Sequence, residues 1–152
     1  MSRFIVRMIE VLSILVVVGS IAALAVPKAA DVRRADAAET VVGDVELLRA
    51  AVYSFYSDSA YFPAELPDGL MPDGLMPYLP GSFSSRRAYG TIEYKNWPLS
   101  PVVDTAGAPA PNVVGAVVTP VDARVGAGAA ARARGTPRFT VGNKYTFLFF
   151  GS

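Results

Sequence analysis

Glu10 is the side chain whose position in this sequence most clearly requires a chemical partner. It lies at the head of an uncharged run that continues to Pro27 and consists mainly of Val, Ile, Leu and Ala. An ionised carboxylate in apolar surroundings is costly unless a cation or hydrogen-bond donors accompany it. Arg7 precedes Glu10 by three residues and so lies on the same helical face. We expect Glu10 and Arg7 to form ion pairs that guide assembly, within one copy of the chain or between two.

The chain contains neither cysteine nor histidine. Without cysteine there is no disulfide, no thiolate metal ligand and no thiol nucleophile. Without histidine the commonest general base is also missing. No other motif indicates catalysis, so we predict a non-enzymatic protein with no catalytic, cofactor-binding or metal-binding residues.

The charge of the chain is distributed unevenly. From Arg86 onward there are eight of the 14 Lys and Arg residues but three of the 13 Asp and Glu residues. A basic C-terminal half could bind nucleic acid or another acidic partner. The alternative is that these cations keep a segment rich in Gly and Ala soluble. We favour this alternative and do not expect nucleic acid as a partner.

The run from Glu10 to Pro27 has several interpretations. At about 1.5 Å per residue it reaches most of the way across a bilayer core of roughly 30 Å. A cleaved signal peptide is one interpretation, since Arg3 and Arg7 give a basic start and Ala23–Ala25 a small-residue cleavage site. A plain membrane anchor is another. Neither explains why Glu10, a central glycine and Pro27 occur together.

These three landmarks resemble the N-terminal helix of type IV pilins and type II secretion pseudopilins. That family has a Glu at the fifth mature position, an apolar run with a central Gly, and a Pro near the twenty-second position. With Glu10 as the fifth residue, Val6 becomes the first, Gly19 the fourteenth and Pro27 the twenty-second. The resemblance implies leader cleavage between Ile5 and Val6 and methylation of the new N-terminus, although the family has Gly where Ile5 stands.

The resemblance implies a structural subunit that polymerises through its N-terminal helix into a pilus-like filament, most closely a type II secretion pseudopilin. Before assembly such a homopolymer subunit is held as a single-pass protein in the bacterial inner membrane, with its C-terminal head in the periplasm or outside the cell. In the family, Glu10 would pair with the N-terminal amine of a neighbouring subunit. The implied partners are copies of itself in a helical filament, related minor pilin-like subunits, an assembly ATPase, an inner-membrane platform and membrane lipid.

Two alternatives to this function stay open. One is a minor type IV pilin that binds DNA through its basic C-terminal half. The other is a membrane-anchored periplasmic domain that never polymerises. Major pseudopilins also hold calcium before their last strand, but only Asp104 and Asp122 are available in that region, so we predict no calcium site.

Hydrophobic periodicity predicts one long helix over residues 6–60, after a leader-like segment at residues 1–5. Its apolar half, residues 8–26, is expected to be transmembrane, with bends at Gly19 and Pro27. Its amphipathic half, residues 28–59, carries one apolar stripe on a 3.6-residue period that should pack on a globular head; the stripe comprises Val41, Val45, Leu48, Val52 and Phe55. Asp44 and Glu46 fall off this stripe, and we expect them on the solvent side.

Residues 61–152 are predicted to form the head. A turn-rich loop at residues 63–85 contains a tandem Pro-Asp-Gly-Leu-Met repeat, whose Leu and Met side chains we expect to pack against the head. Alternating or β-branched residues predict strands near 89–97, 112–119 and 144–150. The Gly- and Ala-rich segment 125–135 is expected to be a mobile loop. The predicted fold is α+β, with a long bent helix packed on a small antiparallel sheet of three or four strands.

Overall fold

A computed structural model of the chain describes residues 3–98 and 112–149, with the side chains of all of these except 3–6, 9, 22–27 and 68. The chain divides into two compact units, Met1–Asp36 and Ala37–Ser152. The helices and strands in chain order are α1 (Arg3–Ser59), two 3₁₀ turns (Pro67–Gly69 and Asp73–Tyr78), β1 (Arg86–Arg87), β2 (Gly90–Pro98), β3 (Asn112–Pro120), α2 (Ala123–Arg132), β4 (Arg138–Val141) and β5 (Lys144–Phe149).

The backbone of α1 is helical at both of the residues where we predicted a bend, Gly19 and Pro27. The side chain of Pro27 lies outside the described residues, and so do those of Ile5 and Val6 at the predicted cleavage junction. The helix ends where the Ser59 hydroxyl donates to the carbonyl of Phe55 (2.6 Å). The next residue, Ala60, has a φ of 61°, a conformation that stops a helix.

The prediction of a transmembrane half in α1 is wrong. Among the residues that the structure describes, no helix is both long enough and apolar enough to cross a membrane. The prediction of a single-pass location in the inner membrane, with a periplasmic head, is therefore not supported either.

The second unit is α+β, with a five-stranded antiparallel sheet in the order β1-β2-β3-β5-β4. Its register places Tyr94 of β2 opposite Ala116 of β3 and Ala116 opposite Phe147 of β5. Because side chains alternate across a strand, these three residues point to one face of the sheet, and all three are buried. The two strands absent from our prediction, β1 and β4, are short and exposed and carry no hydrophobic alternation long enough to detect.

The part of α1 in the second unit buries its apolar stripe in the same core as that face of the sheet. Val41, Val45, Leu48 and Val52 are 0–1% exposed, and Phe55 packs partly buried against the same core. Burying an aliphatic side chain of this size stabilises the fold by about 1.5–3 kcal/mol. These four residues therefore account for much of the attachment between α1 and the sheet.

Most of the expected mobile loop at 125–135 is instead helical, because α2 continues to Arg132. Asp122 caps α2 by accepting a hydrogen bond from the backbone N–H of Arg124 (2.9 Å). On the buried side, a Cβ built at Gly126 would lie 2.2 Å from the ring of Tyr145. Ala and Gly are favoured here because α2 approaches its neighbours too closely for larger side chains.

The two copies of the Pro-Asp-Gly-Leu-Met repeat have different surroundings. In the second copy Leu75 is fully buried, whereas its counterpart Leu70 in the first copy is 58% exposed. Met71 packs partly buried against the core, and Met76 is 49% exposed. The expectation that all four side chains pack on the head therefore holds for Leu75 and Met71 and fails for Leu70 and Met76.

The repeat offers a matched pair of substitutions. Leu75→Ala should lower the free energy of unfolding by about 2–5 kcal/mol, because it leaves a cavity in the core. Leu70→Ala should change it by less than about 0.5 kcal/mol, because that side chain is exposed. Urea unfolding followed by circular dichroism measures both values. Equal losses for the two variants would contradict the assignment of Leu75 to the core.

Candidate functional site

The first unit presents an unusually large apolar surface. Each of its described large aliphatic side chains from Met8 to Ile21 is 57–64% exposed. We call this set the apolar surface of α1, and it comprises Met8, Val11, Leu12, Ile14, Leu15, Val16, Val17, Val18 and Ile21. Consecutive members fill more than one helical turn, so the surface surrounds the helix and is not confined to one face. Exposed apolar areas of this extent mark sites of interaction.

Polar groups within this surface are few. Ser20 donates its hydroxyl to the carbonyl of Val16 (2.7 Å), so this side chain makes its hydrogen bond inside the helix and needs no water. A Cβ built at Gly19 would meet nothing within 4 Å, which leaves space for a neighbouring helix to approach. The surface is therefore compatible with dry packing against another apolar helix.

Glu10 and Arg7 lie at the N-terminal end of the apolar surface, and both are exposed. They are one helical turn apart, yet the described part of the chain contains no ion pair between them. Each charge is therefore available to a group on another molecule.

Asp44 is buried in the second unit, which corrects the expectation that it faces solvent. The side chain of Asp44 is 5% exposed. Its carboxylate accepts hydrogen bonds from Nη2 of Arg87 and from the hydroxyl of Tyr89, each at 2.8 Å. The Arg87 guanidinium also lies 5.2 Å from the centre of the Phe83 ring, a cation–π contact. This network holds α1 to the segment that leads into β2.

Two buried tyrosines have perturbed ionisation. Burial raises the pKa of Tyr89, and the hydrogen bond to the Asp44 carboxylate raises it further. Burial likewise raises the pKa of Tyr94, with a smaller effect from the charge of Glu65. The Tyr94 hydroxyl donates to the carbonyl of Pro63 (3.0 Å). Both hydroxyls stay protonated because their surroundings disfavour a phenolate.

A cavity of about 490 Å³ in the second unit is lined by Ala37, Thr40, Arg87, Ala88, Tyr89, Val121, Asp122 and Val125. Its two charged side chains make structural contacts, Arg87 with Asp44 and Asp122 with the backbone N–H of Arg124. Among the described residues, no group of three or more His, Cys, Asp or Glu side chains could hold a metal ion. Of the two carboxylates considered for calcium, Asp122 caps α2 and Asp104 lies outside the described residues. The apolar surface of α1, with Glu10 and Arg7, is therefore the candidate functional site.

Comparison with protein families, with curated proteins and with solved structures gives no match to this chain. The resemblance to pilins therefore depends on Glu10, Gly19 and Pro27 in the sequence.

The buried network around Asp44 gives a stability prediction. Asp44→Ala should lower the free energy of unfolding by about 3 kcal/mol, because Arg87 and Tyr89 lose their shared acceptor. Glu46→Ala is the control, since Glu46 forms an exposed ion pair with Arg49 on the same helix; it should change stability by less than about 1 kcal/mol. Urea unfolding separates the two, and a wild-type midpoint for Asp44→Ala would contradict the network's role.

The two tyrosines give a pH prediction. Because the pKa of each is raised in the folded state, the unfolded chain loses phenolic protons first, and the tyrosines' contribution is fully present below about pH 10. Above that value, stability should fall by up to about 1.4 kcal/mol per pH unit for each tyrosine.

Urea midpoints at about pH 8 and about pH 11 measure this fall. Tyr94→Phe should reduce the difference between the two midpoints, whereas Tyr53→Phe should not, because Tyr53 is 42% exposed. An unchanged difference in Tyr94→Phe would show that burial of this hydroxyl does not control the alkaline transition.

Proposed function

We propose that this chain is a structural subunit that polymerises through the first part of α1 into a pilus-like filament, of the kind formed by type II secretion pseudopilins. The observation that carries the proposal is the apolar surface of α1, whose nine side chains remain 57–64% exposed in the single chain. Because each side chain is already partly covered, its burial on assembly would contribute about 1–2 kcal/mol. A surface of this size gives a strong drive towards association.

The shape of the surface favours a bundle of copies over one flat partner. Apolar side chains surround the helix, so a single partner would leave the far side in contact with water. Several copies packed around each other cover every side at once. Copies of the same chain supply helices of matching length and character, which supports a homopolymer.

Glu10 is proposed to set the register between neighbouring helices. Inside a bundle, its carboxylate would be taken out of water and would need a cation. Arg7 of an adjacent copy is one such cation, and the N-terminal amine of a processed neighbour is another. A buried charge without a partner is strongly unfavourable. Only axial offsets between neighbouring helices that bring a cation to Glu10 would therefore be stable.

The test is the filament yield of Glu10 variants, measured by negative-stain electron microscopy at equal protein concentration. Glu10→Ala should abolish filaments or their regular repeat, because the partner cation is left buried and unpaired, a loss of about 3–5 kcal/mol per contact. Glu10→Gln should be milder, since it retains a hydrogen-bond acceptor.

Glu39→Ala is the matched control, because Glu39 is an exposed carboxylate on the same helix but outside the apolar surface. It should assemble like the wild type. If Glu10→Ala also assembles like the wild type, Glu10 does not set the register. Failure of every variant, including the wild type, to form filaments would favour a chain that never polymerises.

A further inference from the structure

The outer side of β4 is an open sheet edge in the described part of the chain. Val141 lies opposite Lys144 across the two-residue turn 142–143. In such a hairpin the residues that flank the turn exchange both hydrogen bonds, and hydrogen-bonded pairs then alternate along the strands. The backbone N–H and C=O groups of Arg138 and Thr140 therefore point away from β5, towards the open edge.

The side chains along this edge are unusually exposed. All four residues of β4 are exposed, and the two apolar ones, Phe139 and Val141, are 48% and 67% exposed. Phe139 and Val141 are two residues apart, so they share the face of the sheet opposite the core. A strand added to this edge would cover apolar side chains on that face and pair with backbone groups in the same step.

Three cations lie in β4 or close to it in the chain. Arg134, Arg138 and Lys144 are all exposed, and Arg138 lies close to the segment before β4 because its Nη1 donates to the carbonyl of Ala133 (2.9 Å). In the described part of the chain, none of the three forms an ion pair with a carboxylate. The described side chains in and beside β4 therefore carry a net positive charge.

We infer that the edge of β4 binds an acidic segment of another protein, which adds to the sheet as an extended strand. Acidic side chains on one face of that segment would lie near Arg138, and apolar side chains on its other face would cover Phe139 and Val141. The ligand is thus an extended peptide that alternates acidic and apolar residues. This inference is independent of the filament proposal, because it concerns only residues of the second unit.

The same charges argue against a second copy of the chain as the occupant. Two β4 strands paired edge to edge would bring Arg134, Arg138 and Lys144 of both copies together, and like charges across a strand pair are destabilising. Short length and cations are common protection against self-pairing of edge strands. Here the cations leave Phe139 and Val141 uncovered. They therefore repel a basic partner strand but attract an acidic one.

The test uses the full-length chain and a fluorescent peptide of alternating Val and Glu, with binding followed by fluorescence anisotropy. We expect saturable binding that weakens as salt is added. Thr140→Pro should weaken it about tenfold, because proline removes an outward N–H at an edge position that tolerates it. Hydrogen exchange should show protection of the β4 amides when the peptide is bound.

Charge reversal provides a second variant that does not alter the backbone. Arg138→Glu should also weaken peptide binding about tenfold, whereas Arg86→Glu, the same charge change on β1 at the opposite edge of the sheet, should have a much smaller effect. A peptide with Lys in place of Glu should not bind.

Three outcomes would overturn the inference. One is peptide affinity that is unchanged in Thr140→Pro, because strand pairing requires that N–H. Another is equal loss in Arg138→Glu and Arg86→Glu, which would indicate general charge attraction. The third is tighter binding of a single-stranded DNA oligonucleotide that is insensitive to Thr140→Pro, which would identify the cations as a phosphate-binding surface.

Discussion

The structure of the second unit depends on the burial of one stripe of α1 in the core formed with the sheet. Val41, Val45, Leu48 and Val52 lose nearly all contact with water, and this burial is the largest favourable contribution that α1 makes to the fold. Asp44 fixes the orientation of α1 on the sheet. Because its carboxylate must meet Arg87 and Tyr89, α1 cannot rotate or slide on the sheet without leaving a buried charge unpaired.

The same helix behaves in the opposite way near its N-terminus. There the described aliphatic side chains are exposed on every side, and the described part of the first unit does not cover them. One helix therefore has one segment whose burial is complete within the chain and another whose burial requires other molecules. The filament proposal follows from this contrast, and Glu10 supplies the element of specificity that apolar packing alone lacks.

The sequence predicted the features that depend on local pattern. The 3.6-residue stripe of α1 and the β-branched run of β3 can be detected because each pattern lies within one continuous segment of the sequence. Asp44 was misplaced because its partners lie more than 40 residues further along the chain. Segment 125–135 was read as a loop because Ala and Gly show little hydrophobic pattern, whereas the close approach of α2 to Tyr145 is a tertiary property. The transmembrane expectation depended on the apolar run alone, and no helix among the described residues is long and apolar enough to cross a membrane.

The most direct test of self-assembly through α1 is the reactivity of a single introduced thiol. Because the chain has no cysteine of its own, Leu15→Cys places one reactive group in the apolar surface, and Val121→Cys places one in the second unit, where Val121 is 84% exposed. We expect Leu15→Cys to react rapidly in dilute protein and to become protected as concentration rises, while Val121→Cys stays reactive. Equal reactivity of Leu15→Cys at all concentrations would contradict self-assembly through α1, because the apolar surface would then remain in water.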